Sequence, residues 1–336
     1  MLMPVVLFLV SIMIFSLTMF LSPTQRVAAY APSPAHLRGG KEKVESLIEQ
    51  YGLNDPVYKQ YVRWINNIFH GNLGWSSTLR MPVGDALQSL FPATAELAIL
   101  AFIPIILGAI WMGSEAAIHH NSLPDHFIRI FTIVGWSFPT FVFGLIVLMV
   151  FYGKFSLFPP GRLSQWANEI VNSSEFIRYT GFNIIDSLLN GNFQVLLDSI
   201  THLFLPVITL SYVIWANMTR IMRSSMLNVL HEDYITTARA KGLKENVVNK
   251  KHGRRNALLP VLTVAGLLVA RLMGGVVITE TIFDYRGLGR FAANAAVNLD
   301  FPAVIGFALY FSVILVFVNL IVDVLYAYLD PRVQLE

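Results

Sequence analysis

Gly39-Gly40-Lys41 comes nearest to a phosphate-binding loop, but Ala35 stands where the first glycine of that loop belongs and Glu42 where a Ser or Thr would hold magnesium. No nucleotide hydrolysis is expected of this chain. His231-Glu232 could open a zinc-protease helix, yet the second His would fall at 235, which is Ile. His119 and His120 are adjacent, point to different faces of any helix and read as solvated loop residues. Gly287-Leu288-Gly289 lacks the strand-to-helix setting of a dinucleotide site and reads as a turn. With zero Cys, disulfides, Cys-ligated zinc, iron-sulfur clusters and thiol catalysis are excluded together. No catalytic residue, cofactor or metal ligand is assigned. The polar residues that stand out are Arg271 and Glu280 inside an apolar run, and a basic stretch at 220–255.

These residues need a membrane to position them. The 336 residues are 55% hydrophobic and 13% charged, against about 25% charged in soluble domains, and mean hydropathy is +0.58. The formal charge of +3 is too small a bias to point to nucleic acid. Charge-free runs of roughly bilayer length cover 3–21, 97–114, 130–153, 199–219 and 301–322. A sixth, 260–282, is interrupted by Arg271 near its centre and Glu280 near its end. The chain is therefore expected to be an all-α membrane protein with six transmembrane helices. Pro104, Pro139 and Pro206 lie inside spans, where neighbouring helices and water can satisfy freed backbone groups. Ala29-Tyr30-Ala31 resembles a signal-peptidase site, but no Lys or Arg precedes the first run, so it is read as a retained membrane helix.

Nine basic residues between Arg220 and Arg255 face three acidic ones, which places that loop in the cytoplasm. Six spans then put both termini in the cytoplasm and 22–93, 154–198 and 283–300 outside. Residues 1–21 form the first span, 22–93 an extracytoplasmic helical subdomain, and 94–330 a core of five spans with a cytoplasmic loop at 220–258. The seven basic residues of 22–93 run against this orientation, but long segments are largely exempt from the rule. Residues 22–40 read as loop. Val44, Leu47, Ile48 and Tyr51 predict a helix capped at Gly52, and Tyr61, Trp64, Ile65 and Ile68 a second one from Pro56 to Gly71. Pro159-Pro160-Gly161 makes a turn, with Trp166, Phe176 and Tyr179 as interfacial aromatics.

Within the cytoplasmic loop, Glu232 and Asp233 suit a first helical turn, Arg239 and Lys241 a last one, and Gly242 a stop. The predicted helix has ten residues, about 15 Å long. Ala238 and Gly242 lie one turn apart, giving a face with little side chain that another surface could approach. A further short helix is expected around Val247 and Val248, broken at Gly253, before Leu259-Pro260 opens span five.

The run Tyr234-Ile-Thr-Thr-Ala-Arg-Ala-Lys-Gly-Leu243, with Arg255-Asn-Ala-Leu-Leu-Pro260, resembles the cytoplasmic coupling loop of ABC importer permeases of the oligopeptide, dipeptide and nickel group. Thr236-Thr237-Ala238 replaces the general Glu-Ala-Ala, and Arg254-Arg255 fills the Leu-Pro slot, as in the peptide subgroup. Residues 279–290, 319–332 and 52–74 resemble other segments of that group in the same order. The first span departs from it, lacking basic residues ahead of it and carrying Ser22-Pro23-Thr24 where Gly-Asp-Pro often follows.

The resemblance implies the first permease subunit, of the B type, in a prokaryotic inner-membrane importer of peptides, oligosaccharides or nickel complexes. Its implied partners are a homologous second permease, two ATPases that carry ATP and magnesium, an external solute-binding protein and the lipid bilayer, with no nucleic acid. Glu232, Asp233, Tyr234, Ala238, Arg239, Ala240, Gly242 and Leu243 would then couple to an ATPase, with Leu259 and Pro260 at the loop's exit. Arg271 and Glu280 are either path-lining groups or a polar tie between helices. Ser137, Phe138 and Phe141, with Phe143, are either cavity lining or packing. The alternative is a secondary transporter driven by an ion gradient, with Arg271, Glu280 and Asp323 as relay sites.

Overall fold

The computed structural model describes residues 3–27, 30, 40–273 and 276–329, and within these the chain is mostly helical. In order, α1 is Met3–Thr18, α2 Pro23–Arg26, α3 Gly40–Gln50 and α4 Val57–Phe69. The short strands β1 (Trp75–Ser76) and β2 (Met81–Pro82) pair antiparallel, Trp75 opposite Pro82. Then come α5 (Val83–Ile118), α6 (Leu123–Ser137), α7 (Thr140–Leu148), α8 (Gln165–Val171), α9 (Asn183–Leu189) and α10 (Phe193–Leu230). After them follow α11 (Asp233–Ala240), α12 (Glu245–Val247), α13 (Arg255–Met273), α14 (Val277–Ile282), α15 (Leu288–Val297) and α16 (Phe301–Leu329). Two π-helical stretches, Met149–Lys154 and Val248–Arg254, follow α7 and α12 directly.

Among the described residues, four stretches are long and apolar enough to cross a membrane: α5, α10, Glu245–Met273 and residues Phe301–Val322 of α16. A fifth candidate is the pair α6 and α7, which together pass that test but are bent by 99°. The expected unbroken span at 130–153 is therefore corrected to a sharply bent helix pair, the geometry of a broken span or a re-entrant loop. Pro139 explains the break: a residue before proline is pushed out of the α region, and Phe138 is extended at φ −86°, ψ 128°. Helix α1 is apolar, but its 16 residues extend only about 24 Å, short of a bilayer core.

The chain forms two compact units, one of residues 1–94, 273–277 and 286–317, the other of 95–272, 278–285 and 318–336. In the first, both helices predicted for 41–71 are present as α3 and α4, with Gly52 and Gly71 at positive φ after them. Leu47, Ile48, Leu53 and Trp64 form one buried cluster with Ile14 and Phe15 of α1. The expected loop at 22–40 contains a helical turn, α2, because Ser22 and Gln25 complete a capping box around Pro23. Arg26 then donates to Gln60 Oε1 at 2.6 Å, tying that turn to α4. Ala29 and Ala31 lie outside the described residues. A second cluster joins Val83 and Leu87 of α5 to Leu288, Phe291 and Ala303.

In the second unit α10 is the central element, lying against α6, α7, α8 and α9. It runs well past the expected end at Thr219 and carries Arg220 and Arg223 on its last turns, so the loop at 220–258 is helical at both ends. Small residues permit close approach. A Cβ on Gly113 would lie 2.6 Å from Met222 Cβ, and one on Gly135 would lie 2.9 Å from the Tyr212 carbonyl. Segment 154–198, expected to be irregular, contains the short helices α8 and α9.

Candidate functional site

Helix α11 has eight residues rather than ten, since Glu232 and Lys241 are its flanking cap positions. Gly242 N–H donates to the Arg239 carbonyl at 2.9 Å and Leu243 N–H to that of Ala238 at 3.4 Å, the double bond of a Schellman cap. Gly242 sits at φ +76°, a left-handed conformation that costs glycine little. Asp233 in the first turn and Arg239 in the last complement the helix dipole. Arg239 also pairs with Glu245 at 2.9 Å, an exposed contact worth at most about 1 kcal/mol.

The helix is held from below by a small core of its own. Ile235 and Ala238 are buried with Val248, and Val229 of α10 packs against them. This divides the predicted small face. Ala238 turns inward, covered by a valine ten positions further along that helical spacing alone does not reveal, while Gly242 is exposed with nothing within 4 Å of an added Cβ. Tyr234, Ala240 and Leu243 are exposed beside it, and Tyr234 Oη accepts from Asn256 Nδ2 at 3.2 Å.

Gly253 does not break the next helix. The π-helical stretch runs through it into α13, and Gly253 lets the backbone meet α10, where an added Cβ would lie 2.7 Å from Met226 Cε. Leu259 and Pro260 fall inside α13. α11 thus packs on α10 through Val229 and, beyond the Gly242 cap, on Val248 of the π-helical stretch that continues into α13.

Behind this region the candidate path residues separate. Phe138 lines an aromatic recess of about 420 Å³ with Phe131, Phe143, Tyr212 and Trp215, at the bend between α6 and α7. Ser137 instead donates to the Ile133 carbonyl at 2.9 Å, and Phe141 is exposed outside the recess lining. Arg271 lies in the last described turn of α13, which runs Arg255–Met273, and not near its middle. Arg271 is exposed, whereas Glu280 belongs to α14 and is fully buried.

Two ionic ties absent from the sequence-based expectations organise the second unit. Arg223 of α10 grips Asp125 of α6 through two bonds of 2.8 and 2.6 Å, and Asp125 is fully buried. Glu96 of α5 accepts at Oε2 from Arg162 at 2.9 Å and Tyr285 at 3.3 Å, and at Oε1 from Ile184 N–H, the start of α9, at 2.8 Å. Burial, reinforced by the Glu96 charge, pushes the Tyr285 hydroxyl above its ordinary value, so it stays neutral and donates. Burial opposes the Arg162 charge, but the Glu96 carboxylate beside it outweighs that and holds the guanidinium charged. The sequence marks Glu96 only as the edge of an apolar run.

Among the described residues no group of three or more His, Cys, Asp or Glu side chains is placed to hold a metal ion. The arrangement offers mechanical linkage: an exposed helix packed on elements of two candidate spans, and the 159–184 and 285 segments pinned to a third.

Residues 105–335 match the family described as binding-protein-dependent transport system inner membrane component. The chain is 41% identical over 305 residues to a probable D,D-dipeptide transport system permease protein of Escherichia coli (strain K12), covering 89% of this chain and 88% of that one. It is 38% identical over 294 residues to a dipeptide transport system permease protein of the same strain, covering 87% and 86%. An oligopeptide transport system permease protein of Bacillus subtilis (strain 168) is 39% identical over 291 residues, covering 86% and 84%.

Proposed function

The chain belongs to the family of binding-protein-dependent transport system inner membrane components, and on that premise we propose that it is the permease subunit of an ATP-driven importer that passes a peptide-type solute inward. It is a multi-pass membrane protein. The peptide class is supported by the names of its relatives, each a permease of a dipeptide or oligopeptide system. The observation that carries the reading is α11, an exposed helix on a private core of Ile235, Ala238 and Val248, rooted in α10 and α13.

In this reading the exposed side of α11, with Tyr234, Gly242 and Leu243, seats in a cytoplasmic ATPase. Closure of two such ATPases around ATP moves α11. Because Val229 and the π-helical stretch join it to two spans, the push reaches α10 and α13 as rigid-body displacement, the ordinary basis of alternating access. A second, homologous permease completes the path and an external solute-binding protein delivers the solute. The chain carries no ATPase motif; ATP and magnesium belong to the partner subunits.

The topology that goes with this has six spans, counting α1 and the α6 and α7 pair, with both termini in the cytoplasm. The nine-to-three basic excess of 220–255 supports it. Helices α2–α4 then form a subdomain on the outer face. Phe138 and the aromatic recess line part of the path, and Arg271 contributes either to that path or to a contact with the second permease.

A cysteine at Lys241, exposed beside Gly242, tests the seating. In the assembled transporter it should form a disulfide with a cysteine in the ATPase groove, at a yield that changes with nucleotide. A fully active complex in which no position of α11 can be cross-linked to the ATPase would contradict it.

A further inference from the structure

Between α6 and the last turns of α10 lies an open cavity of about 750 Å³. Its lining is graded along the helix axes. His120 and Asn121 line it ahead of α6, Arg129 and Arg220 follow, and seven residues further along α6, about 10 Å by helix rise, Trp136 stands at the far end. Arg223 also lines the cavity, but its charge is consumed by the bidentate pair with Asp125. Arg129 and Arg220 form no salt bridge among the described residues, although the Arg129 charge is felt by Asp125, which Arg223 already neutralises. Arg220 Nη2 reaches only the neutral Asn217 Oδ1, at 3.3 Å.

A second observation is independent of charge. Thr219, also in the lining, is 3% exposed, and its Oγ1 has no hydrogen-bond partner. A buried hydroxyl without a partner costs free energy that a bound acceptor would return. The apolar end opens sideways: Ile133 and Trp136 are 59% and 65% exposed and continue onto the exposed Ile130.

We propose that this cavity binds the phosphate headgroup of an anionic phospholipid, held by Arg129 and Arg220 and by the Thr219 hydroxyl, with Ile133 and Trp136 against the glycerol and upper acyl chain. Basic pockets between spans take such headgroups on the side where anionic lipid is read. The gradation from cation to aromatic follows the polarity of a lipid entering from the bilayer, where a soluble anion would use only the basic end. Assignment to the cytoplasmic leaflet rests on the topology proposed above.

The test is native mass spectrometry of the intact membrane complex, released from nanodiscs of equimolar phosphatidylglycerol and phosphatidylethanolamine. The wild type should retain phosphatidylglycerol selectively. Arg129→Gln and Arg220→Gln should each lower that retention about fivefold, and Thr219→Val, which keeps the shape, should lower it with the charge intact. Arg129→Lys should restore most of it, showing that the loss is not misfolding. Equal retention in all variants would overturn the proposal. So would displacement of the lipid by inorganic phosphate, which would make the ligand a free anion, or by dialanine, which would make the cavity part of the solute path. Retention is read without ATP or transport, so failure of the importer reading and failure of this one give different results.

Discussion

Arg162 meets Glu96 at 2.9 Å, and the carboxylate at the other end of that contact is 2% exposed. One charge on α5 thereby fixes the turn after Pro159-Pro160-Gly161, the start of α9 and the hydroxyl of Tyr285. Glu96→Ala would leave the cation and two donors unpaired in a buried place. It should cost about 3–5 kcal/mol, read as a shorter half-life of the detergent-solubilised complex on heating. Glu96→Leu combined with Arg162→Met should recover much of the loss, because the uncompensated charge is gone. Tyr285→Phe removes one long hydrogen bond and should cost about 1 kcal/mol.

Gly242 separates conformation from contact. Gly242→Asn tolerates the left-handed cap and, with open space around it, should leave the stability of the membrane complex unchanged while lowering transport. Gly242→Val should lower both. Normal solute-stimulated ATPase activity in both variants would show that the cap is only structural.

Gly113 faces α10 at a distance that admits no side chain. Gly113→Ala should destabilise the complex by about 1–3 kcal/mol. Met222→Ala should not rescue it, because alanine keeps the Cβ that lies 2.6 Å from the added group and the Thr219 carbonyl also lies 2.8 Å from it. A thermal half-life equal to the wild type would show that these helices separate at small cost.

The helices with a strong apolar period, α3 and α4, were legible because each buries one face in a nearby cluster, and α11 because its terminal charges and Gly242 mark its ends. The break at Pro139 was not, because a proline in a membrane run can be absorbed or can end the helix. Pro206 is absorbed inside α10, and only the surroundings decide. The inward turn of Ala238 depends on Val248, and the Glu96 cluster joins residues up to 189 positions apart. Neither leaves a periodic trace.

Topology is open to direct labelling. Asn54 and Asn246 are both exposed, and the chain has no cysteine of its own. Single cysteines there should react with a membrane-impermeant thiol reagent from opposite sides, Asn54→Cys in intact cells and Asn246→Cys only after permeabilisation. Labelling of both in intact cells would overturn the six-span arrangement.

The most direct measurement is uptake of a radiolabelled dipeptide into proteoliposomes containing this chain with its second permease and ATPases, with the solute-binding protein added on the outside. Uptake is predicted to require ATP inside and the binding protein outside, to persist when proton and sodium gradients are collapsed, and to fall sharply in Gly242→Val. Uptake that proceeds without ATP and follows an imposed ion gradient would contradict the account.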